Sequence, residues 1–152
     1  MSTLKNLLEE EKGIFIDFDM FNEMKEALRE TFASGSLTII AIMARRCGES
    51  VFNKIIKEKP MKKKKALDYL CEIINQKNWG QLSFVKIDLK KGHGKAIVKN
   101  SFEARNCRST GPCCHFLSNF MAGFLSKLLK REVNVTEIEC AGKGAAFCEF
   151  EF

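Results

Sequence analysis

The sequence predicts an α+β domain in which an antiparallel β-sheet packs against a helical layer. Three observations carry that prediction. Up to about residue 78 apolar residues recur at helical spacing, and from Trp79 onward Val, Ile and Phe dominate short stretches at the two-residue period of strands. One strongly apolar helical stretch, beginning near Pro112, interrupts the strand-rich part.

Taken in order, Leu4, Leu7 and Leu8 predict a short amphipathic helix, and Ile14-Phe15-Ile16-Asp17-Phe18 reads as a strand. Asp19 reads as the N-cap of a helix striped by Met20, Met24, Leu28 and Phe32, which the Ser34-Gly35-Ser36 break ends. Residues 37–47 are almost wholly apolar, which predicts a helix buried on most sides, and Gly48 is expected to loosen or end it. Val51, Phe52, Ile55 and Ile56 start another helical stretch that Pro60 closes. Leu67, Leu70, Ile73 and Ile74 mark a helix over about 63–77 with an exposed, lysine-rich start. Residues 82–89 and 95–102 predict paired antiparallel strands, with the glycines of Lys90-Lys91-Gly92-His93-Gly94 making the turn. Pro112 is expected at the first position of the apolar helix, which runs to about Lys130. Two last strands, 132–140 and 146–152, join through Ala141-Gly142-Lys143-Gly144.

At 152 residues and 45% hydrophobic content, the chain suffices for one core and is too short for two ordinary domains. A single domain over 1–152 is expected, helical over about 1–78 and carrying the sheet, the late helix and a metal site over about 79–152. Charged residues at Lys5, Glu9, Glu10, Glu11 and Lys12 argue against a secretory leader, and the longest apolar stretches fall short of the ~20 residues that span a bilayer. The seven cysteines then point to a reducing, cytoplasmic setting, with thiols as core residues, metal ligands or nucleophiles rather than disulfides. The net charge of +6 is concentrated at Lys62 to Lys65, where no aromatic residues interleave, which argues for a solvated helix start and against nucleic acid. Leu4, Leu7 and Leu8, with the apolar segment 37–43, offer more apolar surface than one small sheet covers, so a homodimer through the N-terminal helices is expected.

Chemistry concentrates in the last third. Phe116, Phe120 and Phe124 stand at four-residue spacing beside a second stripe of Leu117, Met121 and Leu125, a pattern that serves either a packed core or, if the core is hollow, a pocket. Cys113 and Cys114 fall at the start of that helix, where unpaired N–H groups and the positive dipole end favour a thiolate. The alternation that turns Val133 and Val135 inward carries Glu137 to the same apolar face, so its carboxylate must be paired, protonated or metal-bound. Cys148 shares an inward face with Phe150 and Phe152. Glu137 and Cys140 are three apart and face opposite ways on a regular strand, so both reach one ion only if the strand ends or bulges near Ile138. Three thiols and a carboxylate suffice for four-coordinate zinc, with either Cys113 or Cys114 turned to the hairpin, whereas buried cysteines acting as small hydrophobes need no metal. His93 reads as a solvated turn residue, and His115 as a donor behind the ligands or an alternative ligand. Glycine-rich nucleotide loops and a Ser/His/Asp arrangement are not recognisable.

Asn100-Ser101-Phe102-Glu103-Ala104, Gly111-Pro112-Cys113-Cys114-His115-Phe116, Met121-Ala122-Gly123-Phe124, Glu137-Ile138-Glu139-Cys140, Gly144 and Phe147-Cys148-Glu149-Phe150 together resemble the 4-vinyl reductase domain family over about residues 80–152. The resemblance implies a fold similar to subunits of vesicle-tethering transport particles and to haem gas sensors. It also implies binding of small molecules, often hydrocarbons, as in the sensor module of aromatic-responsive transcription activators. In that module zinc is held by a Cys, a Glu three residues before a second Cys, and a third Cys eight residues on, positions that fall here on Cys114, Glu137, Cys140 and Cys148. The implied function is a binding or sensing module for an apolar or aromatic small molecule, with one structural zinc and a protein partner for its output. Its expected pocket is lined by Phe116, Phe120, Met121 and Phe124 with the strands 82–89 and 96–102. A vinyl-group reductase using a thiol such as Cys107 or Cys113, and a ligand-free scaffold subunit, are the alternatives.

Overall fold

The computed structural model describes residue 14 and residues 16–107 and 109–152. Helix α1 spans Phe18–Phe32, α2 Gly35–Glu58 and α3 Lys63–Gln76, followed by strands β1 Gln81–Asp88 and β2 His93–Lys99. Helix α4 His115–Leu129, strand β3 Thr136–Glu139, a 3-10 turn Ala141–Lys143 and strand β4 Cys148–Glu151 complete the chain. The strands form one antiparallel sheet in the order β1-β2-β4-β3, so the class is α+β with one helix inserted between strands. The helix expected around Leu4 to Leu8 lies outside the described residues.

The backbone separates into two compact units, one up to Ser36 and one from Leu37 to Phe152. In the first, the strand expected over 14–18 does not form: Phe18 opens α1, and Asp17 rather than Asp19 is its cap. The Asp17 carboxylate accepts the Met20 N–H at 2.8 Å, satisfying a donor that the first helical turn leaves free, and so short an alternating run offers nothing to match it. No residue of α1 is buried, and Met20, Met24 and Phe32 are each about half exposed.

In the second unit α2 runs unbroken through Gly48, against the expectation of an interruption. A glycine inside a helix costs about 1 kcal/mol in propensity, but here it permits a close helix crossing. A methyl group at Gly48 would overlap the Phe120 carbonyl, and one at Gly123 would overlap the Arg45 carbonyl, so α2 and α4 meet backbone to backbone through two glycines. Beside the crossing Phe52 meets Phe124 edge to face, centroids 5.3 Å apart. Burial of α2 on most sides is likewise corrected, because Ile40, Ala44 and Ile55 are buried while Leu37, Ile42 and Met43 stay about half exposed.

Helix α3 buries Ala66, Leu67, Leu70, Ile73 and Ile74 and packs on β1, with Lys62 to Lys65 exposed at its start as expected. The β1–β2 turn is held by Asp88, whose Oδ1 accepts the N–H groups of Lys90 and Lys91, and Gly92 takes the left-handed conformation there (φ 69°). The last strands are shorter than the sequence predicts. Val133 cannot enter the sheet because its N–H donates to Ser126 Oγ at 3.0 Å and its carbonyl accepts from Arg45 at 3.0 Å. Helix α4 starts at His115, three residues after Pro112, and it buries Leu117, Phe120, Met121, Phe124, Leu125 and Leu128.

Gly123→Ala should therefore destabilise the protein by about 2 kcal/mol through forced separation of α2 and α4. Gly111→Ala, where the nearest atom is Ser109 Oγ at 3.6 Å, should stay within about 0.5 kcal/mol of wild type. Urea unfolding measures both, and equal stabilities would discard the crossing as a constraint.

Candidate metal centre

The approach to α4 carries four backbone N–H groups that two carboxylates collect. Glu103, buried, accepts from Phe116 N at 3.0 Å and Leu117 N at 2.8 Å. Glu137 Oε2 accepts from Cys113 N at 2.6 Å and Cys114 N at 3.2 Å. A helix start leaves such donors unpaired and lends them the positive end of the dipole, so both acids are compensated without a cation beside them. The sequence marks Glu103 only as an acid inside the buried run Ser101-Phe102-Glu103-Ala104, a signal that a polar partner must be nearby.

Glu137 reaches this position because β3 bulges. Its register against β4 pairs Glu137 with Phe150 and Glu139 with Glu149, leaving Ile138 as the extra residue, about half exposed. The bulge lets residues three apart face one side, as the sequence requires for Glu137 and Cys140 to converge. Cys140 precedes the 3-10 turn, whose first N–H, on Ala141, points at Cys148 Sγ at 3.4 Å.

The four predicted donor atoms, from Cys114, Glu137, Cys140 and Cys148, all lie within 4.8 Å of one another. Cys114 Sγ stands 3.6 Å from Cys148 Sγ, and Cys148 Sγ 4.0 Å from Cys140 Sγ. Sulfurs on a tetrahedral zinc at Zn–S about 2.3 Å lie about 3.8 Å apart, so the cluster has the dimensions of such a site. The second Glu137 oxygen, Oε1, is buried without a hydrogen-bond partner. A buried carboxylate oxygen without a donor is a costly arrangement that a bound cation would relieve. The residues therefore fit a zinc-like ion on three thiolates and one carboxylate oxygen.

Packing also divides the thiols. The Cys114 thiol bonded to the Cys148 sulfur brings Cys148 down to about 7, and holds Cys114 itself above the ordinary thiol range together with burial and Glu137. Burial pushes Cys140 up to about 12. Ser101 Oγ, 3.3 Å from Cys114 Sγ, is a further polar neighbour in the buried run.

Of the two adjacent cysteines, Cys114 brings its sulfur to the cluster and Cys113 does not. Cys113 is joined by a disulfide to Cys107, with Cα atoms 5.8 Å apart, which overturns the expectation of thiols alone. Sequence spacing cannot reveal such a pair, because it depends on how the residues between them turn. His115 opens α4 outside the cluster, and its carbonyl accepts from Asn119 Nδ2 at 2.8 Å.

The expected pocket residues gather on the other side of the α4 start. Phe120, Met121 and Phe124 are fully buried and Phe116 half-buried. Phe116 and Phe120 stack with centroids 6.1 Å apart, and Trp79 meets them edge to face at 5.3 and 5.1 Å. Trp79 is fixed by its backbone, whose N–H donates to Ile74 O and whose carbonyl accepts from Phe102 N.

Fold and cluster together define an α+β domain that gathers soft sulfur ligands and one carboxylate at a helix start. Residues 95–152 match the family model of the 4-vinyl reductase domain, and in this segment the chain belongs to that family. An uncharacterised protein of Methanocaldococcus jannaschii is 34% identical over 85 residues, which cover 55% of this chain and 48% of that protein. The chain spans about half the length of the curated relatives it matches. Among solved structures it is similar to the phenol-responsive sensory domain of the transcription activator PoxR, with TM-score 0.78 and 16% identity over 93% of this chain and 76% of that one. It is also similar to a vinyl-4-reductase family protein of Methanocaldococcus jannaschii, with TM-score 0.64 and 22% identity over 92% and 82% of the two chains. Trafficking protein particle complex subunit 3 of Naegleria fowleri, solved covalently bound to palmitic acid, gives TM-score 0.63 and 7% identity over 88% and 90%. These likenesses establish the fold and its relation to vesicle-tethering subunits. Among the described residues no helix is long and apolar enough to cross a membrane.

The two carboxylates make separable predictions. Glu103→Ala should destabilise the protein by about 2 kcal/mol by leaving the Phe116 and Leu117 N–H groups buried and unpaired, and by the same amount with or without a chelator. Chelator-dependent destabilisation in urea would show that Glu103 belongs to the metal centre instead.

Proposed function

We propose that this chain is a binding or sensing module for an apolar or aromatic small molecule, held together by one structural zinc on Cys114, Glu137, Cys140 and Cys148. The observation that carries the reading is the convergence of these donors at zinc-like separations, with Glu137 Oε1 buried and unpartnered among them. Four protein ligands close a tetrahedron and leave no position for a reacting water, which supports a structural role over a hydrolytic one. The ion would pin the start of α4 to the β3–β4 hairpin. Beside that pinned start, the Trp79, Phe102, Phe116 and Phe120 rings form an aromatic wall, with Trp79 and Phe116 half-exposed at its edge. A flat apolar molecule would enter against these rings, with Met121 and Phe124 behind them. The ligand printed for the PoxR sensory domain, phenol, has that chemistry.

Elemental analysis of protein prepared without chelator should find one zinc per chain, and Cys140→Ser should lower both zinc content and melting temperature. Cys71→Ser, on α3 away from the cluster, should leave zinc unchanged. At neutral pH zinc must displace protons from Cys114 and Cys140, both held above the usual thiol range, so affinity should rise with pH. A metal content far below one per chain, with stability indifferent to chelator, would remove zinc from the reading.

Trp79 is the only tryptophan, so its emission reports directly on the aromatic wall. Titration with phenols and with medium-chain fatty acids should give a saturable change for at least one class, diminished in Phe116→Ala. A response linear and unsaturated for every probe would leave the fold without a ligand site there and favour a scaffold.

The homodimer rests on α1, which has Met20, Met24 and Phe32 about half exposed and nothing buried. Sedimentation at micromolar concentration should give the mass of two chains, and the mass of one would withdraw it.

A further inference from the structure

Cys107 and Cys113 lie outside the cluster yet touch it at both ends. Cys113 directly precedes the ligand position Cys114, and its own N–H donates to Glu137 Oε2 at 2.6 Å. Cys107 stands against Gly142, where an added methyl would lie 2.7 Å from Cys107 Cβ and 2.7 Å from the Ala104 carbonyl. Gly142 belongs to the 3-10 turn that starts after Cys140, and Lys143 of the same turn donates to the Thr110 carbonyl at 2.7 Å. The Cys107–Cys113 bridge thus links the residue before one sulfur ligand to a contact on the turn after another. The ligand sulfurs themselves are sealed, with Cys114, Cys140 and Cys148 all buried, so an ion can enter or leave only if these covering segments open.

We infer that Cys107 and Cys113 are a thiol–disulfide exchange site for small-molecule disulfides of the glutathione class, and that the oxidised pair latches the metal centre shut. This inference rests on the proposed zinc site for its consequence, but not for the exchange chemistry. Cys107 is the more exposed sulfur, so its thiolate attacks the small disulfide first, forming a mixed disulfide and expelling one small thiolate. The Cys113 thiolate then attacks the Cys107 sulfur and expels the second. Two protein thiols are oxidised, one small disulfide is reduced to two thiols, and the two protons leave on those products. Closing the ring across a sequence separation of 6 removes open conformations of the covering segment. Reduction restores them.

The test uses the full chain loaded with zinc alone. After equilibration with oxidised glutathione, alkylation and peptide mass mapping should find Cys107 and Cys113 cross-linked and Cys114, Cys140 and Cys148 free of glutathione. Zinc transfer to a chromogenic chelator should be on the order of tenfold slower from this form than from phosphine-reduced protein. Cys107→Ser should transfer at the fast rate under both conditions. If Cys107 and Cys113 remain alkylatable after oxidation, the exchange site is refuted. If they cross-link but zinc transfers equally fast in both states, the latch is refuted while the zinc reading stands. If neither form binds zinc, the zinc reading and the latch both fall, and the peptide map alone decides the exchange site.

Discussion

The structure turns on the way buried carboxylates receive the N–H groups leading into α4. Cys113, Cys114, Phe116 and Leu117 present four donors within five residues, and Glu103 and Glu137 take two each. An acid buried alone would be expelled to solvent or neutralised, and a helix start buried without acceptors would leave its donors unpaired. Each defect is cured by the other. Because Glu103 comes from the chain just after β2 and Glu137 from β3, this compensation fixes where the helix begins relative to both ends of the sheet.

From that anchor α4 acts as the axle of the second unit. Its middle is locked to α2 by the reciprocal contact of Gly48 and Gly123, which tolerates no side chain on either helix. Its first turns divide the chemistry: Cys114 turns toward Cys148 and the β3–β4 hairpin, while Phe116 and Phe120 turn toward Trp79. A sulfur cluster and an aromatic wall are thus set by the same few residues. Arg45 secures the far end, bridging Ser126 on α4 to Val133 and Asn134 on the connection to β3.

What the sequence discloses follows from how local each signal is. The β1–β2 hairpin, the lysine-capped α3 and the apolar α4 are legible because period and turn residues act within a few positions. The bulge at Ile138 is deducible too, from the parity of Glu137 and Cys140 once both are required to meet. The strand expected over 14–18 loses to the Asp17 cap, which competes for the same residues and satisfies a donor at once. Gly48 misleads because propensity treats glycine as a break, whereas its value lies in a helix far along the chain, at Gly123. The shortening of β3 is illegible for the same reason, since Val133 is withheld from the sheet by Arg45 and Ser126. Of the candidate centre the residue types are readable, but the choice of Cys114 over Cys113 needs the Cys107 bridge, a distance that no spacing encodes.

The electrostatics of the centre explain why it is built at a helix start at all. Three thiolates and a carboxylate would set four negative charges against the two positive charges of a zinc ion, leaving a net charge of about −2 in a buried place. Such a surplus needs fixed positive ends close by, and mobile side chains do not supply them there: the donors found around the cluster are backbone N–H groups. Those of Cys113 and Cys114 meet Glu137, and that of Ala141 meets Cys148 Sγ. Backbone dipoles held by a helix and a 3-10 turn need no reorganisation when an ion arrives, so they stabilise the anionic ligands before binding as well as after it. The same arrangement makes Glu137 the hinge of the site, with Oε2 held by the helix start and Oε1 left free toward the sulfurs. A protein that needed only a packed core at this position would have no use for a carboxylate oxygen kept dry and unpaired, and that is the strongest physical argument for a cation there.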